Sequence, residues 1–215
     1  MAYSRGDLVD VTDPSCPPEN LLWTLARYKF ASRQFKPTDL VGDFACGRGL
    51  GTTMMARKCA KVIGLDIDPD KIDRNKKFWK DAVDHYTKKP VDNVEFVVGD
   101  LLKLDQIFPE SKFNAIVSIE TVEHVAYEAG KLIVRNFSKI LRPGGFLCLS
   151  TPQYDKKRSQ TETRKTEHPH EFTQEELLET LEACFRRVFL FSQNDEFITS
   201  ANTVTAWHFF ALAVK

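Results

Sequence analysis

No run of about 18 consecutive apolar residues occurs in this 215-residue chain, and its opening stretch, MAYSRGDLVD, holds no apolar signal-peptide core. A membrane span and a secretory leader are therefore not expected, and the chain reads as soluble, intracellular and cytoplasmic. An excess of either charge is also lacking, with 30 Lys and Arg against 30 Asp and Glu. Net charge thus gives no indication of nucleic acid or an anionic membrane as partner; a polyanion would need a local patch. Paired cysteines are missing too. Cys16, Cys46, Cys59, Cys148 and Cys184 are odd in number, scattered and without C-x-x-C spacing, which points to reduced, buried thiols. No internal repeat or low-complexity tract breaks the chain, and a second domain has no obvious place. Residues 1–215 are expected to form a single domain, long enough to bury its core without staples.

One further absence bears on the ligand. Leu40 to Gly51 reads LVGDFACGRGLG, a strand, a tight glycine turn and the opening of a helix that runs on through Thr52 to Lys58. A dinucleotide site wants G-x-G-x-x-G, whose third glycine packs helix on strand. Here that place is taken by Thr52, so a pyrophosphate, and with it a nucleotide-dependent oxidoreductase, is disfavoured. The carboxylate of Asp43, just before the glycines, suits an ammonium-bearing ligand better than a phosphate. Gly47 and Gly49 let the backbone approach that ligand. Cys46 reads as a small packing residue beside it rather than as a nucleophile.

The rest of the chain alternates strands and helices. Residues 1–18 form an irregular lead-in with Pro14, Pro17 and Pro18, and 19–34 an N-terminal helix with Leu21, Leu22, Leu25, Tyr28 and Phe30 as its stripe. Lys61 to Asp66 is strand two. Its terminal acid, Asp66, can accept both hydroxyls of a ribose; Asp68 is the competing choice, and Asp68-Pro69 otherwise reads as the cap of a long charged helical segment reaching Lys89. Val94 to Val98 and Phe113 to Ile119 are strands three and four. Tyr127 to Leu141 is a helix closed by the Arg142-Pro143-Gly144-Gly145 turn, and Phe146 to Thr151 is strand five. Residues 153–170 are polar and basic, which predicts a mobile substrate-side loop. A helix from Thr173 to Ala183 opens on a capping box with Glu176; Val188 to Ser192 and Ala206 to Val214 are two last strands. The expected fold is α/β, a Rossmann-like, doubly wound, seven-stranded sheet. It is mostly parallel, with an antiparallel last strand and helices on both faces.

Asp43-x-x-Cys46-Gly47-x-Gly49 resembles motif I of the class I S-adenosylmethionine-dependent methyltransferases, and Arg27-Tyr28-Lys29-Phe30 resembles a segment found shortly before it in one subgroup. Ser118 to His124 followed by Arg142-Pro143-Gly144-Gly145 is similar to a group that includes ubiquinone-pathway O-methyltransferases and enzymes of polysaccharide gene clusters. His170-Glu171-Phe172-Thr173 resembles that group's later H-x-x-E-F signal in compressed form. Gly42, where the family usually has a large apolar residue, departs from the pattern. The resemblance implies S-adenosylmethionine as cofactor. Arg27 would reach its methionine carboxylate, Asp43, Ala45, Cys46, Gly47 and Gly49 would form the loop around it, and Asp66 with Ile67 would take the ribose. Asp100 and Leu101 would hold the adenine, and Ser118 and Glu120 would border the cofactor at the end of strand four. It also implies methyl transfer to an oxygen or nitrogen of a small-molecule or glycan-like acceptor. The alternatives are an enzyme like the RNA 2′-O-methyltransferases and a non-catalytic cofactor-binding protein.

Glu120, Glu123 and His124 stand at i, i+3 and i+4, which would put them on one face if a helical turn follows strand four. They are the candidate catalytic residues. His124 suits general-base work near neutrality, with a glutamate orienting its ring. The competing reading is a divalent metal on Glu120, Glu123, His124 and His170, as resembling quinone and small-RNA methyltransferases use; the oxygens suit Mg²⁺ and the two imidazoles Zn²⁺ or Mn²⁺.

Overall fold

The computed structural model describes residues 18–84, 87–156, 161–200 and 206–215. The lead-in up to residue 17, Cys16 included, lies outside them. The described elements are α1 (Pro18–Ser32), β1 (Leu40–Phe44), α2 (Leu50–Ala56), β2 (Lys61–Asp66), α3 (Pro69–Trp79), β3 (Val94–Val98), α4 (Leu104–Ile107) and β4 (Phe113–Ile119). There follow α5 (Tyr127–Ile140), β5 (Leu141–Pro152), α6 (Glu162–Glu167), α7 (Gln174–Glu182), β6 (Arg187–Asn194), β7 (Phe197–Thr199) and β8 (His208–Val214).

The strands form one sheet in the order β3-β2-β1-β4-β5-β8-β6-β7. Pairing is parallel from β3 through β5, and β8 runs antiparallel to both β5 and β6. Among the described residues the sheet therefore has eight strands, not seven. The extra one, β7, is a three-residue hairpin partner of β6, too short for alternation to show in the sequence. It also takes the sheet edge, leaving β8 inside between β5 and β6.

Period-two alternation divides the strands between two cores. Val41, Val62, Ala115, Val117 and Phe210 face α1 and α2 with Tyr28, Ala31 and Met55. Phe44, Leu65, Ile116, Leu147 and Phe209 face α5 and α7 with Val134, Phe137 and Leu181. The order reverses between β1 and β4, so the chain leaves their carboxyl ends in opposite directions and a crevice opens there.

Two local expectations change and one holds. The charged helix after β2 stops at Trp79, short of Lys89; beyond it Val83 bridges Pro90, and a proline lacks the N–H that a helix interior uses. The capping box holds, with Thr173 and Glu176 each bonding the other's backbone N–H. The expected loop at 153–170 instead carries α6, whose Thr161 side chain caps the N–H of Arg164.

Gly42 has a packing reason. A Cβ there would lie 2.7 Å from the Phe44 ring, which covers the glycine on the same sheet face. That ring stacks on Phe108 at 5.8 Å and meets Phe113 edge-on at 5.3 Å. The large residue has moved two places along the strand. We expect Gly42→Leu to destabilise the fold by roughly 1–3 kcal/mol through overpacking, and Gly42→Leu/Phe44→Leu to recover most of it in thermal melts. Additive losses in the double variant would contradict the size exchange.

Candidate functional site

A cavity of about 700 Å³ opens at the carboxyl ends of the strands. Ala45, Gly47, Asp66, Ile67, Asp100 and Leu101 line it from β1, β2 and β3; Glu120, Thr121 and His124 come from the end of β4, and Arg164, Glu167 and His168 from α6 and the turn after it.

The glycine turn is built by backbone bonds. Ala45, Gly47 and Gly49 all have left-handed backbone, at φ 62°, 50° and 72°, a region open to glycine and costly for alanine. The Cys46 N–H donates to the Leu65 carbonyl, and the Gly47 N–H to Asp66 Oδ2 at 2.9 Å. The Asp68 N–H reaches Asp66 Oδ1 at 3.1 Å. Asp66 thus stands at the cavity wall with each oxygen accepting one N–H and keeping further acceptor capacity. Asp68 caps α3 through Asp70 and Lys71. Asp100 caps the turn after β3 through the Leu102 N–H.

The glycines divide their work. A Cβ on Gly49 would lie 2.8 Å from Phe96, and one on Gly51 2.0 Å from the Tyr28 ring. Both are small so that the loop and α2 can pack on protein, and of the motif glycines Gly47 is the one at the cavity wall. Burial, with Asp43 and Asp66 nearby, pushes the Cys46 thiol up, so it is no nucleophile at neutral pH.

Asp43 is fully buried. The Thr52 hydroxyl donates to its Oδ2 at 2.6 Å and the Tyr28 hydroxyl to its Oδ1 at 3.3 Å. Thr52, which breaks the dinucleotide pattern, is the partner this carboxylate needs. Burial pushes Asp43 from 3.8 up to about 7, against the lowering effect of both bonds.

At the end of β4 the chain turns sharply. Glu120 has φ 51°, and a single 3₁₀ turn, Val122–His124, follows. Glu120 Oε1 pairs with Arg27 Nη1 at 3.1 Å and accepts from Ser150 Oγ at 2.8 Å, while Oε2 lies 3.3 Å from His208 Nε2. Burial would raise this carboxyl, but Arg27 and His208 hold it well below the usual carboxylate range. Arg27, 2 % exposed, also donates to Gln193. It holds Glu120 and does not line the cavity. Ser118 is likewise internal, donating to Thr121 Oγ1.

Glu123 points elsewhere. Its Oε2 accepts from Thr151 Oγ1 at 3.1 Å, and its buried Oε1 has no hydrogen-bond partner among the described residues. Burial and the neighbouring Glu120 push this carboxyl well up. One donor atom each of Glu123, His124 and His168 lie within 4.8 Å of one another, and the two imidazoles meet edge-on at 4.8 Å. His124 Nδ1 lies 2.9 Å from the Glu167 carbonyl, which can only accept; Nδ1 therefore carries the hydrogen and Nε2 keeps its lone pair. Burial lowers the His124 pKa, favouring the neutral ring.

The four-residue metal set read from the sequence is thus not brought together. Glu120, Glu123 and His124 do not share a face, because Glu120 is turned by its positive φ toward Arg27 and His208. His170 is held by Glu176 at 3.2 Å and packs on Tyr127 and Phe172. His168, not His170, lies beside Glu123 and His124. The signal for it was present, since His168-Pro169-His170-Glu171-Phe172 is an uncompressed H-x-x-E-F when counted from the first histidine.

Among the described residues, no helix is long and apolar enough to cross a membrane. A family described as "Methyltransferase domain" matches residues 42–149. A ubiquinone biosynthesis O-methyltransferase of Xanthomonas campestris is 34% identical over 121 residues, which are 56% of this chain and 46% of that protein. A probable ribosomal RNA small subunit methyltransferase A of Methanosarcina mazei is 33% identical over 88 residues, 41% of this chain and 28% of that one. This chain therefore spans less than half the length of these curated relatives. Among solved structures, the putative methyltransferase complexed with the Haloferax volcanii Trm112 methyltransferase activator superposes with a TM-score of 0.69 at 17% identity, covering 89% of each chain.

Two outcomes follow. Asp66→Ala should raise the dissociation constant of S-adenosylmethionine roughly 10-fold or more, since charge-assisted bonds are worth about 1.5 kcal/mol or more each, while Asp68→Ala should cost about 1 kcal/mol of stability as a lost cap. Calorimetric titration showing the reverse pattern would move the ribose site to Asp68. For Asp43, the folded state holds its proton more tightly than the unfolded chain. Its contribution therefore favours folding below about pH 4 and is lost as pH rises through about 7. Asp43→Asn should flatten that pH dependence, removing on the order of a few kcal/mol of the unfolding free-energy change across the window as read from denaturant melts; an unchanged profile would mean the carboxyl is not perturbed.

Proposed function

Because the chain belongs to the methyltransferase domain family, we propose that it transfers the methyl group of S-adenosylmethionine to a hydroxyl oxygen of a small-molecule or glycan-like acceptor. The observation that carries this reading is one cavity walled by the Asp66–Asp100 side and by the His124–His168 side. The first is suited to a nucleoside and the second to deprotonating or gripping an acceptor. Relatives named as O-methyltransferases support oxygen as the nucleophile.

In this reading Asp66 accepts the ribose hydroxyls and the Asp100–Leu101 corner meets the adenine. S-adenosylmethionine bound there would supply a methyl on a sulfonium, whose displacement by the acceptor oxygen would release a neutral thioether and so need no acid. Alignment by the cavity walls supplies a large share of the rate, ~7 kcal/mol or more. The hydroxyl proton still needs a destination: without a cation the Nε2 lone pair of His124 is the available base, and with one the metal-acidified hydroxyl loses its proton to solvent.

Glu123, His124 and His168 also fit a divalent cation, because the buried and unpartnered Glu123 Oε1 asks for a positive partner and both imidazoles have Nδ1 already engaged. Such a cation would supply Lewis-acid activation of the acceptor hydroxyl, and two nitrogen donors beside one carboxylate favour Zn²⁺ or Mn²⁺ over Mg²⁺. Glu120 then serves by anchoring the strand-four turn through Arg27.

Methyl transfer from labelled S-adenosylmethionine to catechol, sugar and RNA acceptors tests both levels. Chelation should abolish turnover of wild type, and Mn²⁺ or Zn²⁺ should restore it. His168→Ala should be at least about 100-fold slower, within the range for losing metal-centred or proton-transfer catalysis, whereas His170→Ala should stay near wild type. A chelator-insensitive enzyme inactivated by His124→Ala alone would leave His124 as a metal-free base. Methylation of RNA alone would replace the acceptor class.

A further inference from the structure

We propose that Glu171 is a positioning residue: it fixes which nitrogen of His168 is free for the cavity and ties that ring to the α6 wall. The proposal deepens the cation reading of Glu123, His124 and His168.

The Glu171 side chain is 1% exposed and that of His168 5%. Glu171 Oε1 lies 2.8 Å from His168 Nδ1. A carboxylate accepts, so Nδ1 carries the hydrogen, and in the neutral ring that leaves the lone pair on Nε2. The same oxygen accepts from the Arg164 guanidinium, which binds through both Nε and Nη2. Arg164 balances the carboxylate's charge and fixes the oxygen that the His168 ring meets.

The arrangement repeats at the other histidine. His124 Nδ1 is held by the carbonyl of Glu167, the last residue of α6. Both imidazoles are therefore oriented from one short segment, which also carries Arg164, Thr166 and Glu167 into the cavity wall. An outer partner of this kind fixes the tautomer and ring orientation of a ligating histidine. Seating of α6 and presentation of both lone pairs become one event. Glu171 is its fixed end, because Phe172, the next residue, is fully buried and packs against Tyr127, and the Tyr154 N–H donates to the Phe172 carbonyl.

The test uses the full chain and compares wild type, Glu171→Leu and Glu171→Gln. Glutamine keeps an acceptor oxygen without the charge; leucine keeps bulk without an acceptor. Long-range proton–nitrogen NMR of the metal-free protein should show His168 as the Nδ1–H tautomer in wild type and Glu171→Gln, and as a mixture in Glu171→Leu. Co²⁺ affinity, read from visible absorption, should fall about 10–100-fold in Glu171→Leu and recover to within several-fold in Glu171→Gln. Melting temperature and S-adenosylhomocysteine affinity should stay near wild type. An unchanged tautomer and unchanged Co²⁺ affinity in Glu171→Leu overturn the proposal while leaving the cation reading intact. So do parallel losses of melting temperature and cofactor affinity in both variants, which would mark a purely structural ion pair. If no variant, wild type included, binds Co²⁺ yet the tautomer shifts as described, the cation reading fails and the positioning role stands.

Discussion

A carboxylate with no solvent exposure, Asp43, sits where β1, α1 and α2 meet, and its two hydroxyl partners set the geometry of everything around the cavity. Thr52 fastens the start of α2 to the end of β1, so the glycine turn between them has fixed ends. Tyr28 fastens α1 and fills the space over Gly51. The neighbouring residue, Arg27, is thereby delivered to Glu120 and Gln193. Burying a carboxylate is costly, and the rise of Asp43 to about 7 is the sign of that cost. What it secures is a polar chain from β1 through α1 to the end of β4 and on to His208 of β8.

The end of β4 then separates two glutamates that the sequence spaces as a pair. Glu120, beside a guanidinium and an imidazole, is held low, while Glu123, buried next to that negative charge, is pushed up. Neighbouring titratable groups driven apart by their surroundings mark a place where charge is managed for a task. Glu120 spends its charge on structure. Among the described residues, Glu123 keeps an oxygen without a protein partner beside the imidazoles of His124 and His168.

Much of this was legible in the sequence, for reasons that differ by element. The parallel strands announce themselves as short β-rich runs ending in Asp66, Asp100 and Glu120, because buried parallel strands must be apolar and their ligand ends polar. The capping box of α7 is purely local. β7 and α6 were not legible: one is three residues long, and the other, ETRKTE, has no apolar stripe and takes its shape from Thr161 and from Arg164 reaching Glu171. His170 and His168 stand two residues apart; the sequence pattern was anchored on His170, whereas the structure brings His168 beside Glu123 and His124. The engagement of Arg27 by Gln193, across 166 positions of sequence, and the covering of Gly42 by Phe44 depend on packing that no local motif carries.

The central claim is that the cavity at the strand ends takes S-adenosylmethionine, with the nucleoside on the Asp66–Asp100 side. Isothermal titration of the full chain with S-adenosylmethionine, S-adenosylhomocysteine and NAD tests it most directly. The account predicts saturable binding of the first two at one site per chain and none of NAD. Binding of NAD, or of neither sulfur compound by a protein that melts cooperatively, would contradict it.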